Sequence, residues 1–204
     1  MALIAKKLIL ITFIGCTALL FSNCANGNKQ NSIIISVKDQ KMLLLEKGIP
    51  VKTYPVSTSK FGLGSQRGSM RTPLGKMVVA RKIGDGARSG AVFKSRKRTG
   101  EVLKPNAPGR DPIVSRIIWL SGKQRHNRNT YARYIYIHGT PEERNIGQPV
   151  SYGCIRMKSH HIIALYRRLG IGSDVKIIRG GLNDTREGLK LTKHKPSHTT
   201  VADN

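Results

Sequence analysis

This sequence predicts a mainly β fold, a sandwich or a partly open barrel with one short helix. Three observations carry that expectation. The apolar runs are short, rich in β-branched and aromatic residues, and separated by glycine, proline and polar turns. One stretch near the C-terminus has helical periodicity. No internal repeat divides the 204 residues, so the strands belong to one unit with a single main core.

In chain order, residues 32–37 (SIIISV) and 42–46 (MLLLE) form a hairpin, because each run is too short for a helix and KDQK joins them. Gly48, Ile49 and Pro50 turn the chain into a third strand, VKTYPVST, where Pro55 marks an edge or a bulge. Residues 59–75 are a glycine-rich loop with no phosphate-binding motif, and Thr72-Pro73 leads into a fourth strand, KMVVARKI. Residues 84–110 are polar, basic and glycine-rich, and read as a long excursion that either lines a site or is an ordinary insertion. PIVSRIIWL (112–120) and YARYIYIH (131–138) are the strongest strands. Alternation in the second puts Ile135 and Ile137 on one face, with Tyr134, Tyr136 and His138 on the other. Residues 159–169 form the helix, with Ser159 as its N-cap and Gly170 as its stop, and DVKIIR (174–179) is the last strand. From Asn183 the sequence loses periodicity and reads as a basic, disordered tail.

Lys6 and Lys7 precede an apolar run, Leu8 to Phe21, that is shorter than the roughly 20 residues of a membrane span and reads as an export signal. The organisation expected is therefore a signal over 1–24, a polar linker over 25–31, a folded domain over 32–180 and a tail over 181–204. Removing the signal leaves Cys154 unpaired, or with Cys24 far away on a tether, so no disulfide framework is expected. The formal charge of +25 falls to +23 without Lys6 and Lys7. A field of that sign draws the protein to an anionic cell envelope. The basic residues lack the aromatic interleaving of a single-strand-binding face, so specific nucleic-acid recognition is not expected. His160, His161, His194 and His198 lack metal-ligand spacing, so no metal or other cofactor is expected.

The chemistry concentrates in residues 138–156, HGTPEERNIGQPVSYGCIR. His138 ends a strand and Cys154 follows sixteen residues later in a Ser-Tyr-Gly-Cys turn. A thiol becomes a nucleophile when a neighbour takes its proton, and histidine titrates in the range to do so. Cys154 attacking a carbonyl with His138 as base is therefore the expected pair; a buried inert cysteine and a strand-capping histidine are the structural alternatives. Gly153 removes a Cβ beside the nucleophile, and the amides of Tyr152, Gly153 and Cys154 are candidates for an oxyanion hole. Ser151 can hold that turn through its hydroxyl.

The segments YIHGT (136–140) and IGQPVSYGCIRM (146–157), with QKMLLLEKG, YPVSTSK and TPLGKMVV upstream, resemble the L,D-transpeptidase catalytic domain of the YkuD type. The resemblance spans about residues 32–179, nearly all of the expected domain. Two departures stand out: Tyr152 replaces the histidine usual before Gly-Cys, and Ser59 replaces the glycine of a V-S-T-G loop. The resemblance implies a cysteine acyltransferase of peptidoglycan stem peptides, with Cys154 forming a thioester and His138 as general base. It also implies that a backbone carbonyl at or near Gly139 holds the imidazole tautomer. Arg156 would meet a substrate carboxylate, a structural ion pair being the alternative, and Thr140 and Tyr136 would be pocket walls, core packing being the other reading for Tyr136. Carbapenems are the implied inhibitors. The N-terminal pattern resembles a lipoprotein signal, with Cys24 as the lipidated residue and a membrane anchor as the consequence. The alternatives are an L,D-carboxypeptidase or amidase acting on the same peptides, and a non-catalytic wall-binding lipoprotein.

Overall fold

The computed structural model describes residues 28–193. The expected export signal, Cys24 and the last residues of the tail lie outside these. Ten strands form one mixed sheet that does not close: β1 (Ser32–Ser36), β2 (Lys41–Glu46), β3 (Ile49–Pro55), β4 (Gly75–Ile83), β5 (Ala91–Lys94), β6 (Lys97–Val102), β7 (Ile113–Gly122), β8 (Tyr136–Gly139), β9 (Ile155–Met157) and β10 (Asp174–Ile178). The main path runs β3-β2-β1-β10-β4-β7-β5-β6, and β8 and β9 branch from β7. The β1–β2 hairpin pairs in antiparallel register, and Pro55 ends β3 at the sheet's outer edge, where its missing N–H is tolerated. Helix α1 (Ser159–Arg168) lies over the curled sheet. Ile162, Leu165 and Tyr166 of α1 join Ile33, Ile35, Leu44, Ile118 and Ile137 in the main core. A second cluster, Phe93, Ile117, Trp119 and Tyr136, packs on the other face of β7 and β8.

Four expectations are corrected. The excursion over 84–110 is not all loop: β5 and β6 form a hairpin that extends the sheet through β7. Both its turn residues, Ser95 and Arg96, have positive φ, and its polar sequence lacks the alternation that announces a strand. The strand expected over 131–138 begins only at Tyr136, because Tyr131 to Tyr134 form a turn in which Tyr134 has φ +57°. Ser159 is the first helical residue rather than the cap; Lys158 is the N-cap, and the Ser159 amide donates to Glu143 Oε1 at 2.8 Å. A carboxylate there satisfies an orphan N–H and complements the helix dipole. Finally, Leu182–Asp184 forms a 3₁₀ turn and Arg186–Lys193 a second helix, α2, where an irregular tail is expected.

Candidate active site

The parallel pairing of β8 with β9 assembles the site. Its register sets Ile137 beside Ile155 and His138 beside Arg156. Ile137 and Ile155 both point into the main core, so alternation sends Tyr136 and His138 of one chain segment, and Cys154 and Arg156 of the other, to the opposite face. Residues sixteen apart in sequence thus share a face through two short strands. β9 has only three residues and carries no sequence signal of its own.

Cys154 is half-buried and packs against the second cluster. Its thiol donates to the Tyr134 carbonyl and its sulfur accepts from the Tyr136 amide, both at 3.4 Å. The left-handed backbone at Tyr134 belongs to the turn that presents this carbonyl to the sulfur. Burial pushes the thiol up to about 11, opposed by the Tyr136 amide and by the charges of Arg156 and Arg133. His138 is buried, and its Nδ1 lies 2.8 Å from the Gly139 carbonyl. A carbonyl only accepts, so Nδ1 carries the proton and Nε2 is the basic nitrogen. Burial holds the imidazole down at about 4; the Gly139 bond opposes that, Arg156 adds to it and Asp111 opposes it. At neutral pH the resting pair is therefore a thiol and a neutral imidazole. Burial thus disfavours the charged form of each group and opposes moving the proton from thiol to imidazole in the free protein.

The turn 151–154 is held by hydrogen bonds from within and from neighbouring loops. Ser151 Oγ donates to the Cys154 carbonyl at 2.6 Å and accepts from the Gly153 amide at 3.3 Å. Gly153 has φ +115°, a conformation that favours glycine, and a Cβ there would make a tight 3.3 Å approach to the Met70 carbonyl. Thr72 Oγ1 donates to the Gly153 carbonyl at 3.1 Å and accepts from the Ser59 amide at 3.0 Å. Ser59, at the family's glycine position, is buried and donates to the Met70 carbonyl at 2.5 Å. Arg133 completes the clamp, donating to the Gly64 and Arg71 carbonyls at 3.1 and 2.8 Å and to Ser69 Oγ at 3.3 Å.

The remaining predicted residues divide sharply. Arg156 pairs with Asp111 at 2.7 Å, with both side chains mostly buried, which is the structural ion pair rather than a free guanidinium. Asp111 also accepts from the Thr140 hydroxyl. Thr140 is fully buried, with its hydroxyl also accepting from the Glu142 amide at 3.0 Å, and Tyr136 is nearly fully buried in the second cluster, where it meets Arg96. Gly139 meets the Val114 carbonyl at 2.6 Å from where a Cβ would sit. Tyr152 is 55% exposed and accepts from Lys60 Nζ at 3.1 Å, with Phe61 tilted against it. Opposite, Trp119 stacks on Tyr131 and meets Tyr136 edge-on, while the Arg96 guanidinium lies 5.4 Å from the Trp119 ring and 5.2 Å from that of Tyr134. Sequence reasoning missed Asp111, Arg133 and Arg96. Arg96 comes from a segment read as loop, Arg133 from one misread as strand, and Asp111 from the junction between the excursion and the strand that follows it. The one available signal was a lone acidic residue, Asp111, placed just before a strongly apolar strand.

The chain matches the L,D-transpeptidase catalytic domain family, YkuD, over residues 30–177. It belongs to that family. A curated relative, assigned as the L,D-transpeptidase YkuD of Bacillus licheniformis, is 28% identical over 145 residues, covering 71% of this chain and 64% of the relative. An L,D-transpeptidase of Mycobacterium smegmatis superposes with a TM-score of 0.48 at 12% identity, covering 73% of this chain and 58% of that one. L,D-transpeptidase 3 of Mycobacterium tuberculosis, solved with a faropenem-derived adduct, gives a TM-score of 0.47 at 17% identity over 72% of this chain and 60% of that one. The chain thus spans less than two thirds of the length of the proteins it matches.

Proposed function

We propose that this protein is an exported peptidoglycan L,D-transpeptidase with Cys154 as nucleophile and His138 as general base. The observation that carries the reading is their common face, with Nδ1 tied to a carbonyl so that Nε2 is the nitrogen available to the thiol. Cys154 Sγ attacks the carbonyl at the L-centre of diaminopimelate in a tetrapeptide stem, and Nε2 takes the thiol proton as the C–S bond forms. The tetrahedral oxyanion meets the amides of Tyr152 and Cys154, since Ser151 already occupies that of Gly153. The C–N bond then breaks, His138 returns its proton to the amine, and D-alanine leaves behind a thioester. An acceptor amine, deprotonated by His138, resolves the thioester to a new amide.

Because the resting pair is neutral, proton transfer is concerted with attack rather than completed beforehand. Arg156 is committed to Asp111, so its role is to position β9 against residue 111 and to lend positive field to the thiol. The stem's carboxylates fall to the exposed cations flanking the sulfur, Lys60 on Tyr152 and Arg96 on the aromatic wall. Carbapenems acylate the same sulfur by the same attack on a carbonyl. The test is product analysis of disaccharide-tetrapeptide incubated with the protein. Cross-linked dimer with free D-alanine supports the proposal. Tripeptide without dimer means a hydrolase, and no product with no adduct means a wall-binding protein.

A further inference from the structure

Most of the exposed large apolar side chains of the described residues gather in two places. Phe61, Met70, Tyr134 and Tyr152 surround the nucleophile. Ile49 and Val51, 66% and 41% exposed on edge strand β3, and Ile171, 59% exposed in the turn after α1, have no part in that site. They instead surround Asn28, where the chain enters the fold. The Asn28 amide donates to the Arg168 carbonyl at 3.1 Å, and its own carbonyl accepts from the Gly170 amide at 3.3 Å, at the start of the Ile171 turn. A cleft of about 560 Å³ joins Asn28 to Lys47, Ile49, Val51, Arg167 and Arg168. Its acidic member, Glu46, is bound to Arg168 at 2.6 Å, which leaves the face positively charged.

We propose that this face is a docking surface for an anionic lipid bilayer; it rests on the exported placement proposed above. Six residues separate the apolar run ending at Phe21 from Asn28, a reach of about 25 Å at full stretch. A folded unit of this length is about 40 Å across. If the run stays in a membrane, or if Cys24 is lipidated closer still, the tether holds the surface around Asn28 within about 25 Å of that membrane, and the face turned away from it out of contact. That surface carries what an interface needs: apolar side chains to enter the headgroup boundary and arginines and lysines to meet anionic lipids. Helix α1, about 15 Å long, ends at this face and starts beside β9, so the thiol is held away from the bilayer.

The experiment uses residues 25–204, which hold all ten strands and both helices, in vesicle co-sedimentation free of the apolar run. Vesicles with 30% phosphatidylglycerol, as an order-of-magnitude match to an anionic leaflet, are compared with neutral phosphatidylcholine vesicles and with purified sacculi. The expected result is preferential binding to anionic vesicles that weakens at least tenfold in the Ile49→Gln/Ile171→Gln double variant. It should be unchanged in Val102→Gln, which alters an exposed apolar residue on β6. Equal loss in both variants, equal binding to neutral vesicles, or binding to sacculi alone overturns the proposal. Because vesicle binding is read without substrate and without export, its failure is separable from failure of the transpeptidase reading. Circular dichroism of each variant establishes that the fold is intact.

Discussion

At the scale of residues, the site is defined by two groups whose environments push their protons in opposite directions. Burial holds the Cys154 thiol up at about 11 and the His138 imidazole down at about 4. The rate of Cys154 alkylation by iodoacetamide is therefore expected to keep rising with pH past 9; a plateau reached by pH 7 would show a preformed thiolate and contradict the neutral pair. Asp111 sits under this pair, joined to Arg156 and Thr140. Asp111→Asn leaves a mostly buried guanidinium without its countercharge, which costs on the order of 3 kcal/mol. Urea titration of the variant should show that loss, and a midpoint unchanged from the parent would refute the role given to the pair.

At the scale of elements, the turn 151–154 and the β5–β6 hairpin set what reaches the sulfur. Gly153→Ala forces a side chain into a left-handed conformation against the Met70 carbonyl, with about 1–3 kcal/mol of strain. The displaced thiol should lower turnover roughly 100-fold while the far-ultraviolet spectrum stays native. Arg96 is exposed at the tip of the hairpin, on the aromatic wall. Its replacement by alanine should raise KM for tetrapeptide several-fold with little change in kcat, and a selective fall in kcat would contradict a binding role.

Elements also show how much was legible beforehand. β1, β2 and β7 are legible as short continuous apolar runs, because each buries both of its faces, while β4, β10 and α1 carry the apolar spacing of one mainly buried face. Cys154 and His138 could be named as candidates because few residue types do such chemistry, and the structure sets them on one face of β8 and β9. The β5–β6 hairpin was not: most of β6 is exposed, so no alternation marks it, and the turn at Ser95 and Arg96 lacks glycine. Tyr131 to Tyr134 looked like strand because aromatic residues favour strands, yet here they make a stacked wall around Trp119. The partners of Arg156 and of the nucleophile turn come from distant loops, which local sequence cannot pair.

For the whole molecule, the buried neutral histidine ties stability to pH. His138 stands at about 4 in the fold against an ordinary 6.5, so on acidification the unfolded chain binds the proton first. The stability this contributes is complete above about pH 6.5, declines toward pH 4 and is lost below it, a span of about 3 kcal/mol. Urea midpoints at pH 7.5 and 4.5 should differ accordingly, and His138→Gln should flatten the difference. An unaltered pH dependence in that variant would place the effect elsewhere.

The central claim is that one sulfur carries the acyl group. Rapid-quench intact mass spectrometry of the protein with disaccharide-tetrapeptide tests it directly. The account predicts an adduct mapped to Cys154, one D-alanine released per adduct, none of either in Cys154→Ala, and slow formation in His138→Gln. Release of D-alanine at the parent rate by Cys154→Ala would contradict it.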